Sequence, residues 1–209
     1  LDVWVKSLDP KKARYEYCLF QALAAYGTIE VVEPGLLNRL LHAADPRARA
    51  FASRMVGRWH DRLDDPLDLL AARVVDEHPR VRMEAIVACS QIPSARSIEL
   101  AAAATDLPMD SWIDYAFRQT VHGLKPQWLP AFKRGDLSFA RPQHLAAVLN
   151  ETGGRDVIVS LKRLVESGGL DRRTRVAANA AILAVGGPDD LRRYGLDRER
   201  FTRGKQYDA

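Results

Sequence analysis

His78-Pro79-Arg80-Val81-Arg82-Met83-Glu84-Ala85 is the stretch on which the fold turns, because most of it occurs twice. Asp45-Pro46-Arg47-Ala48-Arg49-Ala50-Phe51-Ala52 carries the same proline, two arginines and alanine at a constant offset of 33 residues. A third copy, Asp171-Arg172-Arg173-Thr174-Arg175-Val176-Ala177-Ala178, keeps the Arg-x-x-Ala element as Arg175 and Ala178. A fixed period between about 20 and 50 residues marks a repeat architecture, whose units cannot bury an apolar face alone. Each copy reads as a helix start. A short polar residue or His stands at the N-cap, and proline follows at N1, where its missing donor costs nothing. The arginine three residues later can pair with an acidic residue of the preceding turn. The alanine three residues beyond it lets a neighbouring helix approach closely. Val81, Ala85, Ile86, Cys89 and Ile92 then recur at helical spacing.

A shorter amphipathic segment precedes each of these helices: Leu36, Leu37, Leu40 and Leu41 before Asp45; Leu67, Leu69, Leu70, Val74 and Val75 before His78; Val157, Ile158, Leu161, Leu164 and Val165 before Asp171. The unit is therefore helix, short turn, helix. Ser94 to Ala104 with Asp110 to Leu124 forms a further pair, as does Pro126 to Lys133 with Pro142 to Glu151, and Lys11 to Ala25 is the second helix of a leading pair. The expectation is one domain over 1–209, an all-α right-handed superhelix of about six helix pairs, roughly 1–26, 34–63, 66–92, 94–124, 125–151 and 154–185, with a C-terminal cap over 188–203. Thr28 to Val32 is the best β-like run, and it is short and bounded by Gly27 and Pro34.

Composition agrees and excludes much else. Of 209 residues, 47% are hydrophobic and 28% charged, the balance of an ordinary globular chain rather than a disordered one. No apolar run approaches the roughly 18 to 20 residues that span a bilayer, so membrane insertion is not expected. Two cysteines, Cys18 and Cys89, cannot build a disulfide framework, a four-thiolate zinc site or a Cys-x-x-Cys-His haem attachment. The chain opens Leu1-Asp2-Val3-Trp4 without a visible targeting signal, which suggests a removed leader or a piece of something longer. Residues 1–124 carry a net −2 and residues 125–209 a net +6, so the C-terminal half could meet phosphates or an acidic partner, or could simply be a solvated surface.

The His78 to Ala85 stretch resembles the HEAT repeat family, whose second helix typically opens Asp-Pro-x-Val-Arg-x-x-Ala. The resemblance implies a scaffold for protein contacts and names no reaction. A narrower resemblance rests on Asp76 to Ala85, on Asp114-Tyr115-Ala116-Phe117-Arg118-Gln119-Thr120 and on Leu124-Lys125-Pro126-Gln127-Trp128. These are similar to the helical middle region of large bacterial haem-binding, membrane-bound-dehydrogenase-like proteins. That resemblance implies a propeller before the segment, a c-type cytochrome after it, and a periplasmic or otherwise exported location. No haem motif occurs in these residues, so any redox chemistry would lie elsewhere.

Within Asp110 to Leu124, the residues Ile113, Ala116, Phe117, Thr120, Val121 and Leu124 form the expected buried stripe. Asp114, Arg118 and His122 follow at i, i+4 and i+8, with Trp112, Tyr115 and Gln119 beside them. Trp112, Tyr115, Arg118, Gln119 and His122 are the candidate partner-binding residues, since aromatic and Arg side chains anchor interfaces. The competing reading is an Asp114–Arg118 ion pair with both aromatics packed between repeats.

No catalytic, cofactor or metal set emerges. His42, His60, His78, His122 and His144 are scattered, and the densest cluster, His60 with Asp61, Asp64 and Asp65, suits solvated loop charges. Cys89 sits among Ala85, Ile86, Val87 and Ala88 as a buried thiol. Asp64-Asp65 and Asp189-Asp190 suit helix starts rather than an acid and base pair. Nucleic-acid binding is the alternative function, through Arg47, Arg49, Arg54, Arg58, Arg80, Arg82, Arg118, Arg172, Arg173 and Arg175, if they align on one concave surface.

Overall fold

A computed structural model describes residues 1–152, 155–166, 172–185 and 187–194. Regular structure among them is entirely helical. In chain order the helices are α1 (Asp2–Lys6), α2 (Tyr15–Thr28), α3 (Pro34–Leu41), α4 (Pro46–Arg58), α5 (Pro66–Leu70), α6 (Pro79–Gln91), α7 (Ala95–Ala102), α8 (Ser111–Gly123), α9 (Lys125–Arg134), α10 (Pro142–Thr152), α11 (Arg155–Glu166), α12 (Arg172–Val185) and α13 (Pro188–Tyr194). Contacts gather them into two compact units, Leu1–Gln127 and Trp128–Ala209, within what the sequence presents as one run of repeats.

The helix starts of the first unit follow from side-chain chemistry. Asp45 Oδ1 accepts the Arg47 amide at 2.8 Å, His78 Nδ1 the Arg80 amide at 3.3 Å, and Ser94 Oγ the Arg96 amide at 3.2 Å. Asp110 Oδ1 accepts from both Trp112 and Ile113 at 2.9 Å. Each such cap contributes about 1 kcal/mol. Two layers result. In one, α2, α4, α6 and α8 pack in succession; in the other, α3, α5 and α7 each pair with the helix that follows. Leu37, Leu40, Leu41, Val56, Trp59, Leu70, Val81, Ile86, Ile98, Ile113 and Val121 fill the space between them. Helices α4 and α6 approach closely at Gly57, where an added Cβ would lie 2.8 Å from the Ala88 Cα of α6.

Three expectations need correction. Lys11 to Arg14 is a turn, and α2 starts only at Tyr15: Asp9 Oδ1 takes the Lys11 amide at 2.9 Å and Asp9 O takes the Lys12 amide, bending the chain before helical bonds begin. The α5 helix stops at Leu70, because the amides of Arg73 and Val74 both close on Leu70 O and tighten the backbone into turns. Val74 is consequently buried, but Val75 is 41% exposed and belongs to no apolar stripe. The repeated arginine finds carbonyls, not a carboxylate, in its preceding turn. Arg49 Nη1 donates to Ala43 O and Ala44 O at 3.0 Å, and Arg82 Nη1 to Asp76 O at 2.8 Å and Glu77 O at 3.1 Å. Other nitrogens of each guanidinium cross to the next repeat. Arg49 forms a two-pronged pair with Asp76 at 2.8 and 2.9 Å, and Arg82 Nη2 donates to Pro108 O at 2.8 Å.

Thr28 to Val32 forms no strand. The chain leaves α2 through Glu30 in the left-handed region, φ 56°, with the Val31 amide returning to Tyr26 O. Glycine usually takes this place; here Arg58 and Arg62 of the next repeat hold the Glu30 carboxylate, and Arg62 Nη1 holds its carbonyl at 2.9 Å.

In the second unit, α12 packs against α10, α11 and α13. Leu145, Val148, Leu149, Leu161, Ala178 and Ile182 are buried, and Trp128 meets Phe132 edge to face at 6.5 Å. Tyr194 OH donates to Glu166 at 3.0 Å. The side chains of Val157, Leu164 and Arg173, and the part of the expected cap beyond Tyr194, lie outside what the structure describes.

Candidate functional site

The α8 helix turns two unlike faces outward and inward. Ile113, Ala116, Phe117, Thr120 and Val121 are buried as the spacing predicts, and Thr120 Oγ1 reaches Ile86 O of α6 at 3.3 Å. Trp112 and Tyr115 are 72% and 59% exposed, and Arg118, Gln119 and His122 are exposed beside them. The five candidate side chains therefore share one arc of one helix. Arg118 Nη2 donates to Asp114 Oδ2 at 2.8 Å, so the expected i,i+4 ion pair exists. The aromatics are not packed between repeats, as the competing reading required.

Their position in the repeat explains what is unusual about them. The N-caps advance by 33 residues from Asp45 to His78 and by 32 from His78 to Asp110. In that register Tyr115, Arg118, Gln119 and His122 of α8 match Met83, Ile86, Val87 and Ser90 of α6, and Ala50, Ser53, Arg54 and Gly57 of α4. On α4 two of these positions receive the next helix: Gly57 abuts Ala88, and Arg54 pairs with Glu84. On α6 the Ile86 carbonyl receives Thr120. The apolar or small Met83, Ile86, Val87 and Ser90 of α6 thus give way on α8 to a tyrosine, a guanidinium, an amide and an imidazole.

The second-helix arginines are mostly neutralised. Arg49 and Arg82 are 8% and 5% exposed, and Arg47, Arg54, Arg58 and Arg118 each meet a carboxylate, Asp45, Glu84, Glu30 and Asp114. Arg80 alone among those on α4 and α6 is exposed with no carboxylate among the described residues. An aligned basic surface on these helices is not what they form.

The groups considered for chemistry are used structurally. Cys89 is fully buried, and burial pushes its thiol up to about 12, so the nucleophilic thiolate is suppressed. His60 Nδ1 lies 2.8 Å from Gly57 O, and among the described residues no three His, Cys, Asp or Glu groups converge as metal ligands. Asp190 Oδ2 accepts the Gly187 amide at 3.1 Å at the start of α13 while its carboxylate also meets Lys162, whose hydrogen bond holds it below the usual carboxylate range despite partial burial.

One concave feature escaped the sequence reading. The turn before α2 and the outer side of α3 enclose an open cleft of about 620 Å³, lined by Lys12, Tyr15, Glu16, Asn38, Arg39 and His42 among others. The run Lys11-Lys12-Ala13-Arg14-Tyr15-Glu16-Tyr17 was its only sequence signal.

Residues 33–120 match the family described as HEAT repeats, which covers α3 to most of α8 and makes this stretch a HEAT repeat region. No curated protein matches the chain. HEAT repeats generally serve as protein-interaction scaffolds and are typically non-catalytic.

Proposed function

We propose that the chain is a non-catalytic scaffold that holds a protein partner, or a neighbouring domain of a longer polypeptide, on the α8 surface formed by Trp112, Tyr115, Arg118, Gln119 and His122. The observation that carries this reading is the change of chemistry at the stacking positions of α8, where large hydrogen-bonding and aromatic groups stand exposed. Trp, Tyr and Arg supply contact area and directional bonds together, which is why they dominate interface energetics. The resemblance of Asp76 to Ala85, Asp114 to Thr120 and Leu124 to Trp128 to the middle region of haem-binding dehydrogenase-like proteins supports a neighbouring domain as that partner, in an exported protein.

The test is site-specific photocrosslinking in the native host, with the probe at Gln119 and, as control, at exposed Arg96 on α7. A crosslinked species at position 119 and absent at position 96 is the expected result. Equal yields at both positions would overturn the assignment of this surface.

A further inference from the structure

Most arginines of the first unit are paired, whereas exposed Arg80 and the cations of the N-terminal turn are not. Arg47, Arg49, Arg54, Arg58, Arg62, Arg73, Arg96 and Arg118 each meet a carboxylate. Lys11, Lys12, Arg14 and Arg39 meet none among the described residues; Lys12 and Arg39 line the cleft between the turn before α2 and α3, and Lys11 and Arg14 belong to the same turn as Lys12. Two lie over aromatic rings instead, Arg39 4.8 Å from the Tyr15 centroid and Arg14 5.4 Å from that of Tyr17. Ring contacts of this kind fix a guanidinium without cancelling its charge.

The walls are tied in place. Glu16 accepts the Ala44 amide at 3.2 Å and the Asp45 amide at 3.4 Å, joining the first turn of α2 to the turn after α3. Tyr15 N returns to Lys12 O at 2.9 Å, holding the basic turn against the helix. Leu19, Leu40 and Ala43 close the floor and are buried. Asn38 on the α3 side is exposed and offers an amide able to bond a peptide main chain. Glu16 and Asp9 leave the surround at a net positive charge, with their oxygens directed to backbone amides.

We propose that this cleft is a second docking surface, separate from α8, that takes an acidic peptide segment of a protein partner. Its charge complements carboxylates, and its volume of about 620 Å³ suits a few residues rather than an extended phosphate backbone. A duplex would need basic contacts continued along the helices, where the arginines are already paired. Unneutralised Lys and Arg at a tied-down concave site raise both the rate and the selectivity of capturing an anionic segment.

The experiment measures fluorescence anisotropy of the intact chain with a labelled peptide of alternating Glu and Leu. A matched Gln and Leu peptide and a short single-stranded DNA serve as comparisons. Saturable binding of the Glu peptide at low salt is expected, with the Gln peptide bound at least about tenfold more weakly. Lys12→Glu and Arg39→Glu should each weaken the Glu peptide by about tenfold, whereas Arg80→Glu and the pair Trp112→Ala and Tyr115→Ala should change it less than about twofold. Arg39→Gln serves if charge reversal disturbs folding, with thermal melts confirming the fold of every variant. Equal weakening by Arg80→Glu, equal binding of the Gln peptide, tighter binding of the DNA than of the peptide, or no binding at low salt would each overturn the proposal. Since the α8 variant is an arm of the experiment, failure here is distinguishable from failure of the α8 assignment.

Discussion

Replacing Arg49 with Met tests how the repeats are joined. Arg49 donates two hydrogen bonds to Asp76 and one each to the carbonyls of Ala43 and Ala44, with side chains only 9% and 5% exposed for Arg49 and Asp76. The substitution leaves the Asp76 carboxylate buried with Arg73 Nη1 at 3.3 Å and the His78 amide at 3.0 Å as its remaining partners. Removing one side of a buried pair costs about 3–5 kcal/mol, and the retained partners place this case near the lower end, at about 3 kcal/mol. Urea denaturation at neutral pH, read by far-ultraviolet circular dichroism, measures it against Arg47→Met. The Arg47–Asp45 pair is also short, at 2.7 Å, but the Arg47 side chain is 82% exposed, so its loss should leave stability nearly unchanged. Burial raises the Asp76 carboxyl, yet its hydrogen bonds to Arg49 and the His78 amide and the charges of Arg49 and Arg73 together hold it below the usual range. A depressed carboxylate contributes stability that is present above its unfolded value of about 3.9 and is lost as pH falls through its folded value. The gap between wild type and Arg49→Met should therefore be widest near neutrality and shrink in acid. Equal costs for Arg47→Met and Arg49→Met, or a gap that widens in acid, would refute the account of this joint.

Four further outcomes follow from the same geometry. Ala85 is fully buried, so Ala85→Asp should cost more than about 3 kcal/mol by placing an unpaired charge between helices, measured by the same urea titration. Gly57→Ala should destabilise by about 1–3 kcal/mol against the Ala88 backbone, while Gly35→Ala, with nothing within 4 Å of the new Cβ, should stabilise by up to about 1 kcal/mol. Cys89, with its thiol pushed up to about 12, should stay unreactive to a disulfide reagent at pH 8 until urea unfolds the chain, whereas half-buried Cys18 should react first. Trp112→Ala and Tyr115→Ala together should leave the urea midpoint nearly unchanged, as substitutions at exposed positions do.

What the sequence made legible was chiefly local. Proline at N1 behind Asp45 or His78 announces a helix start because the cap and the missing donor act within one turn, and both starts fall where expected. The length of α5 was not legible, since the hydrophobic spacing of Leu70, Val74 and Val75 is the same whether the backbone stays helical or tightens at Leu70. The partners of Arg49 and Arg82 were misplaced for a related reason. A guanidinium has enough donors to serve its own turn and the next repeat at once, and only the stacking distance decides which acceptor lies where. On α8, the Asp114–Arg118 pair was legible from i,i+4 spacing, but the exposure of Trp112 and Tyr115 was not, because it depends on what stacks at that register. The basic cleft was invisible for the plainest reason. Its two walls are separated by α2 in sequence, and the spacing of Lys11 to Ala25 predicts helix where one wall is a turn.

The most direct measurement identifies the partner from the adduct at position 119, purifies that partner in free form, and titrates it calorimetrically against the wild-type chain and the Trp112→Ala and Tyr115→Ala double variant. The scaffold account predicts an affinity loss of about thirtyfold or more with an unchanged melting temperature, since truncating an interface aromatic anchor costs about 2 kcal/mol or more in binding and these side chains are exposed. An affinity equal to wild type in the folded double variant would contradict it.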